Sequence, residues 1–396
     1  MQNHPDNPAA SLKDVLLPLL QENERAGLRR VRPILATPQD VTVEIDGQRY
    51  LSFCSNNYLG LASDPRVIAA FRQAADRYGV GSGAASVVAG HYRAHHALEE
   101  ELAAFTGRER ALLFSTGYMA NLGIVSTLAG RGDEIYQDRL NHASLLDAAA
   151  LSRARLRRYA HADPKALAEA LSRGKGGGRR LIATDGVFSM DGDIAPLPEL
   201  AAIAKQHDAW PVVDDAHGLG VLGENGGGTL EHFGLDANDV PLLMGTLGKA
   251  LGTFGAFVAG EETVIEYLMQ KARPFIFTTA LPPAVAEAAR ESLAIVREES
   301  WRREHLRALV ARFRAGAKSL GLTLEESATP IQPVLVGEAK QAVAISTALR
   351  ERGLFVQAIR PPTVPKDTAR LRITFSATHE AGQVDRLLDG LSEVFS

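Results

Sequence analysis

Lys249 has the widest chemical reach of any residue in this sequence. It stands in the run Gly245-Thr246-Leu247-Gly248-Lys249-Ala250-Leu251-Gly252, an amine among small residues. Upstream, Trp210-Pro211-Val212-Val213-Asp214-Asp215-Ala216-His217-Gly218 reads as an apolar strand ending in an acid. That combination suits the aldehyde of pyridoxal phosphate. The lysine forms the Schiff base, and the acid keeps the pyridine nitrogen protonated so that the ring can accept electrons. Apolar strand neighbours would desolvate Asp214 and push an unpaired carboxyl toward its neutral form. A pyridinium N–H would hold it ionised instead. His217, just beyond the acid, can bond the phenolic oxygen of the same ring.

Other polar groups fall where an open α/β sheet places its ligands, at the carboxyl ends of strands. Ala111-Leu112-Leu113-Phe114 reads as a short strand, and Ser115-Thr116-Gly117-Tyr118 opens the next helix. A glycine at a helix start exposes backbone N–H groups to a phosphate. His142, in Asn141-His142-Ala143-Ser144, either caps a helix or stacks on a flat ring. Ser189, in Val187-Phe188-Ser189-Met190-Asp191, either donates to a ring substituent or shapes a turn.

Three tempting motifs fail on context. Gly79-Val80-Gly81-Ser82-Gly83 follows a helical pattern rather than a strand, so it is no dinucleotide loop. Gly248-Lys249 resembles the end of a phosphate loop, but Ala250 replaces the magnesium-binding hydroxyl. His91, His95 and His96 include a pair at helical spacing, yet no acid follows at metalloprotease spacing. We therefore expect no metal.

The elements that must position these groups are legible in the hydrophobic pattern. Residues 11–30 read as an amphipathic helix ending in a basic cluster. Val41 to Phe53 alternates and turns at Asp46-Gly47, a hairpin signal. Beyond it, helices at 65–78, 94–106, 117–129, 142–152, 164–173 and 196–207 interleave with strands at 111–114, 134–136, 155–159, 181–184, 211–213, 241–244 and 255–259. Such alternation predicts a mostly parallel sheet covered on both faces. A charged helical stretch follows at 284–320, then strands near 331–336 and 370–375 and helices near 340–351 and 380–395. The expected organisation is an N-terminal helix and hairpin segment (1–55), a large cofactor-binding domain (56–290) and a C-terminal α+β domain (291–396). The basic, glycine-rich stretch from Arg173 to Arg180 reads as a flexible surface loop.

With 396 residues, 45% of them hydrophobic and 23% charged, the chain can bury a substantial core. A net charge of −4 gives no electrostatic footprint for nucleic acid. A lone cysteine, Cys54, excludes an intramolecular disulfide framework. The opening Met1-Gln2-Asn3-His4-Pro5-Asp6 lacks a basic region leading into an apolar one, and no long uncharged apolar run appears, so a cytoplasmic location is expected.

Taken together, several motifs closely resemble the α-oxoamine synthases, pyridoxal-phosphate enzymes of fold type I. They are Asn56-Asn57-Tyr58-Leu59-Gly60-Leu61, Gly81-Ser82-Gly83, Ser115-Thr116-Gly117-Tyr118, Asn141-His142-Ala143-Ser144, Gly186 to Asp193, Asp214 to Gly218, Thr246 to Lys249, Phe277 to Pro283 and Ile359 to Pro365. The resemblance runs from about residue 27 to the C-terminus. It implies a large domain with a mostly parallel central sheet, plus a smaller α+β C-terminal domain. It also implies a decarboxylative condensation of an amino acid, expected to be L-alanine, with an acyl thioester, expected to be pimeloyl. Serine or glycine as the amino acid, the acyl chain length, and coenzyme A against acyl carrier protein as donor all stay open.

The resemblance assigns roles residue by residue. Lys249 holds the cofactor and then acts as the base, and Asp214 binds the pyridine nitrogen. His142 stacks on the ring and contacts substrate, while Ser189 and His217 reach the phenolic oxygen. Thr246 and the backbone of Gly117 and Tyr118 anchor the phosphate. Arg360 pairs with the amino-acid carboxylate through a two-pronged contact that lysine could not reproduce. Arg29 and Thr363 face the acyl substrate. Thr278 and Thr279, in the segment that reaches a neighbouring subunit's phosphate, imply a homodimer. Two competing readings are an aminotransferase using the same lysine and acid, and a catalytically silent partner subunit. The silent subunit is disfavoured because such subunits typically lack the lysine.

Overall fold

A computed structural model describes residues 11–174 and 177–395. The opening hexapeptide and Lys175-Gly176 of the basic loop lie outside the described residues. A seven-stranded sheet runs through the large unit in the order Arg110–Phe114, Ala256–Gly260, Leu242–Thr246, Trp210–Asp214, Arg180–Asp185, Glu134–Asp138, Arg155–Tyr159. Only Ala256–Gly260 runs against its neighbours. The other strands therefore end on the same edge, as the alternating pattern predicts. Central strands such as Leu242–Thr246 and Ala256–Gly260 are buried along their whole length. Their unbroken apolar character follows from having helices over both faces.

On one face, Gly117–Leu128 packs against Ala143–Ser152, and Ile124, Val125, Leu145 and Ala148 are fully enclosed there. On the other, Pro164–Ser172 and Leu197–Gln206 bury Leu167, Leu171, Leu197 and Leu200. The register sets Asp185 beside Asp214, and Asp214 beside Met244. Residues distant in sequence thus share one rim.

The C-terminal unit holds a sheet of Ile331–Gly337, Ala369–Thr374 and Gln357–Ile359, backed by Ala339–Glu351 and Ala381–Phe395. Two expectations need correction. The helical stretch at 284–320 is two helices, Pro283–Glu298 and Trp301–Ser319. Glu299 leaves helical geometry between them, and its carboxylate takes Arg66 at 2.7 Å and Arg302 at 2.7 Å. The N-terminal helix spans Leu12–Arg25 rather than reaching residue 30, because Gly27 turns the chain at φ 68°.

The hairpin Thr42–Ile45 and Gln48–Ser52 turns at Asp46-Gly47 as its sequence signals, and Gln48–Ser52 pairs with Leu354–Phe355. An N-terminal segment is thereby sewn to a C-terminal one. Helix Glu262–Lys271 and the short strands Leu354–Phe355 and Gln357–Ile359 went unread, the strands because two or three residues carry no period. No helix among the described residues is long and apolar enough to cross a membrane.

Candidate active site

Lys249 follows the strand Leu242–Thr246 and points its amine at His217, with Nζ 2.8 Å from Nε2. His217 Nδ1 lies 2.7 Å from Tyr58 Oη, and that hydroxyl donates to Asn56 Oδ1 at 3.1 Å. The direction of the chain follows. Tyr58 uses its one proton on Asn56, so it accepts from His217 Nδ1–H, and Nε2 accepts from Lys249. Burial, then the charges of Lys249 and Arg372, holds His217 well below the usual imidazole range, consistent with this neutral tautomer.

Burial likewise pushes the Lys249 amine down to about 8, Asp214 opposing this and Arg372 adding to it. An amine attacks an aldehyde only as the free base. A lowered pKa supplies that form at lower pH. Condensation of cofactor-free protein with pyridoxal phosphate should therefore accelerate as pH rises through about 8, then level off, instead of climbing toward the 10.5 of a solvated lysine. Stopped-flow absorbance across pH 6–10 checks this.

Asp214 ends its strand nearly buried and accepts from Asn121 Nδ2 at 2.6 Å and from the Ala216 amide at 3.0 Å. Asn121 Nδ2 also reaches Ser144 Oγ at 2.8 Å, which lies 2.7 Å from His142 Nδ1. One amide thus couples the acid to the imidazole expected to lie over the ring. The His142 backbone donates to Asp185 at 2.8 Å. Burial, together with the adjacent Asp214, raises the Asp185 carboxyl well above its ordinary value. Burial holds His142 below its ordinary value, partly offset by Asp214.

At the start of Gly117–Leu128, Thr116 Oγ1 accepts from the Met119 amide at 3.2 Å. The preceding amides, those of Gly117 and Tyr118, have no partner among the described residues. Two free N–H groups at the positive end of a helix form an anion seat. Thr246 Oγ1 donates to Gly255 O at 3.0 Å and accepts from the Gly248 amide at 3.3 Å, bracing the turn that carries Lys249. Ser189 presents its carbonyl to Arg372 Nε at 2.6 Å.

The structure gathers Lys249, Asp214, His217, His142, Gly117, Tyr118, Ser189 and Thr246 on the carboxyl rim of the sheet. It does not bring Arg360 among them. Its guanidinium is taken up by the carbonyls of Gly27 and Arg29, and it lines a cavity of about 390 Å³ with Arg29, Arg32 and Ile34. Arg29 pairs with Glu24 at 2.6 Å and Thr363 is exposed. The arginine whose charge acts on Lys249, His217 and Tyr58 is Arg372, bonded to Asn56 Oδ1 at 3.2 Å.

Sequence reasoning gave no role to Arg372, Tyr58, Asn56 or Asn121, although Asn56 and Tyr58 stand in a motif that carries the resemblance. Asn121 alone left a local signal, a lone amide inside the apolar helix Gly117–Leu128. His91 and His96 do find an acid, Glu99, with ligand atoms within 4.8 Å, but both imidazoles are exposed.

A family model for class I and II aminotransferases matches residues 48–391. The chain is 64% identical to an 8-amino-7-oxononanoate synthase of Methylococcus capsulatus over 92% of its own length and 94% of that protein's. A serine palmitoyltransferase from Sphingomonas wittichii superposes with a TM-score of 0.93 at 37% identity, covering 97% of this chain and 98% of that one. A structure of SPT with a PLP internal aldimine gives 0.91 at 34%, covering 96% and 97%.

Proposed function

The chain belongs to the class I and II aminotransferase family, and within it to the α-oxoamine synthases; from that premise we propose that it acts as an 8-amino-7-oxononanoate synthase. The reaction is the condensation of L-alanine with a pimeloyl thioester, with loss of carbon dioxide. The observation that carries the reading is the 64% identity, over nearly the whole of both chains, to an 8-amino-7-oxononanoate synthase; the pairing of a partly buried Lys249 with Asp214 across the same rim supports the cofactor chemistry it requires.

The residues present fit pyridoxal phosphate. The free amides of Gly117 and Tyr118 match a phosphate, and Asn121 Oδ1, beside Asp214, is a buried polar atom without a partner among the described residues. Lys249 would hold the aldehyde carbon, Asp214 the pyridine N–H and the two amides the phosphate. When bound, the cofactor supplies an electron sink for the bond broken at the amino acid's Cα.

The chain's own residues do the rest. With its amine free, Lys249 Nζ would take the proton from the substrate Cα and later return one. His217, kept neutral, accepts from Nζ and holds it in place. His142 covers the ring face, anchored through Ser144 and Asp185. Arg372 is oriented by Ser189 and Asn56 so that its remaining N–H groups can fix the substrate carboxylate, a task the sequence resemblance gave to Arg360. Holding both reactants in line is worth up to roughly 7–11 kcal/mol. A homodimer and a cytoplasmic setting belong to the same proposal.

Arg372→Lys should raise KM for the amino acid roughly tenfold or more, since a point charge cannot replace the planar fork. Arg360→Lys should raise it less; the reverse order would return the carboxylate to Arg360. The function as a whole is tested by thiol release from a panel of acyl thioesters, each crossed with alanine, serine and glycine. Preference for a thioester other than pimeloyl, or for serine or glycine, sinks the assignment. Pyruvate formed from alanine alone points to transamination.

A further inference from the structure

The loop from Val187 to Ile194 carries Ser189, and its ends meet in a short bridge between those two residues. On the side of the C-terminal unit it is held at several points. Arg372 Nε donates to Ser189 O, Arg370 pairs with Asp191, and Ser327 Oγ and Thr329 Oγ1 donate to Gly192 O at 2.8 and 2.9 Å. Toward the outer strands of the large sheet, the loop buries Phe188 in the core with Tyr136 and Tyr159, and its polar side-chain tie among the described residues is to His161. Its Nδ1 lies 3.0 Å from Asp138 Oδ1 and its Nε2 3.0 Å from Asp193 Oδ2, with the ring edge-on to Phe188 at 4.4 Å.

Two carboxylates facing the two ring nitrogens require both to donate, which only the imidazolium can do. Burial would depress such a group, but the hydrogen bonds to Asp138 and Asp193 push it up to about 10. Asp138 is a firm anchor. It ends the strand Glu134–Asp138 with its side chain 1% exposed, and it also accepts the amides of Leu140 and Ala162, each at 2.7 Å.

We propose that His161 is a positioning residue for the amino-acid-binding side of the site: bridging Asp138 and Asp193, it pins the 187–194 loop to the sheet so that Ser189, and through its carbonyl Arg372, stand beside Lys249. The inference rests on the functional reading above for its effect on turnover, but not for the clamp itself. Without the cation, Asp193 loses its tether, and the Ser189 carbonyl is held only from the C-terminal side and by the buried Phe188 ring, with more freedom to shift. The guanidinium it orients would then meet the substrate carboxylate off-line.

The test joins catalysis to a measurement that needs no cofactor. His161→Phe keeps the ring against Phe188 but removes both donors; Asp193→Ala removes one acceptor and spares the buried Asp138. Each should raise KM for the amino acid roughly tenfold while kcat changes far less, and the double variant should be no worse than His161→Phe alone, since both act through one contact. In the cofactor-free chain, amides 187–194 should exchange hydrogen faster in either variant than in the parent. Additive KM effects, a loss confined to kcat, or unaltered exchange would each overturn the clamp. Should His161→Phe not fold, Asp193→Ala carries both readouts. If the parent takes no borohydride label at Lys249, the functional reading fails while the exchange data still judge the clamp.

Discussion

Lys249→Ala should leave a folded protein with no measurable turnover, a drop of at least about 10³-fold, because in the proposed chemistry one amine both holds the cofactor and moves the Cα proton. The fold should survive. Among the described residues Nζ has a hydrogen bond only to His217, and removing a partly buried, pKa-lowered amine relieves a desolvation cost. His217 then loses the donor at Nε2, and a water can replace it in the space vacated. Two measurements decide the matter. Thiol release reports turnover, and borohydride reduction followed by peptide mapping reports where the imine forms. A label on any residue other than Lys249 in the parent protein, or undiminished turnover in the variant, removes the basis for the proposed chemistry.

Asp214→Asn is the second large effect, and it separates binding from catalysis. The new amide can still accept the Ala216 N–H through its oxygen. Its NH₂ would face Asn121 Nδ2, two donors in opposition, but Asn121 Oδ1 is buried without a partner among the described residues. Rotating the Asn121 amide end for end exchanges donor for acceptor and restores the contact. Cofactor should remain bound through Lys249 and the amides of Gly117 and Tyr118. Activity should fall by roughly 10²–10⁴, since an amide NH₂ cannot stabilise a protonated ring nitrogen and the electron sink weakens. Bound-cofactor absorbance alongside kcat makes the comparison. An unchanged kcat would detach Asp214 from the ring nitrogen, and complete loss of cofactor would make its role structural.

These effects concern residues whose importance is local. Lys249, Asp214, Gly117 and His142 each sit at the end of a strand or the start of a helix. In a mostly parallel sheet every such end faces one rim, so recognising the element also places the residue. The alternation of helical and strand patterns is enough for that, and it locates the strands to within a residue or two; most are buried along their length, while the edge strand Arg155–Tyr159 is largely exposed.

The groups that orient the chemistry obey no local rule. Tyr58 meets His217 across 159 positions, and Arg372 meets Ser189 across 183. Both contacts depend on how the C-terminal sheet and the segment from Asn56 close over the rim. The same closure diverts Arg360 toward Gly27 and Arg29, although its motif is intact. An arginine's side-chain donors are satisfied by whatever oxygens the packed chain brings within about 3 Å. Chain order therefore settles which reactive groups exist and on which edge they lie. Long-range packing settles which cation orients the substrate, because that choice depends on distances no local pattern encodes.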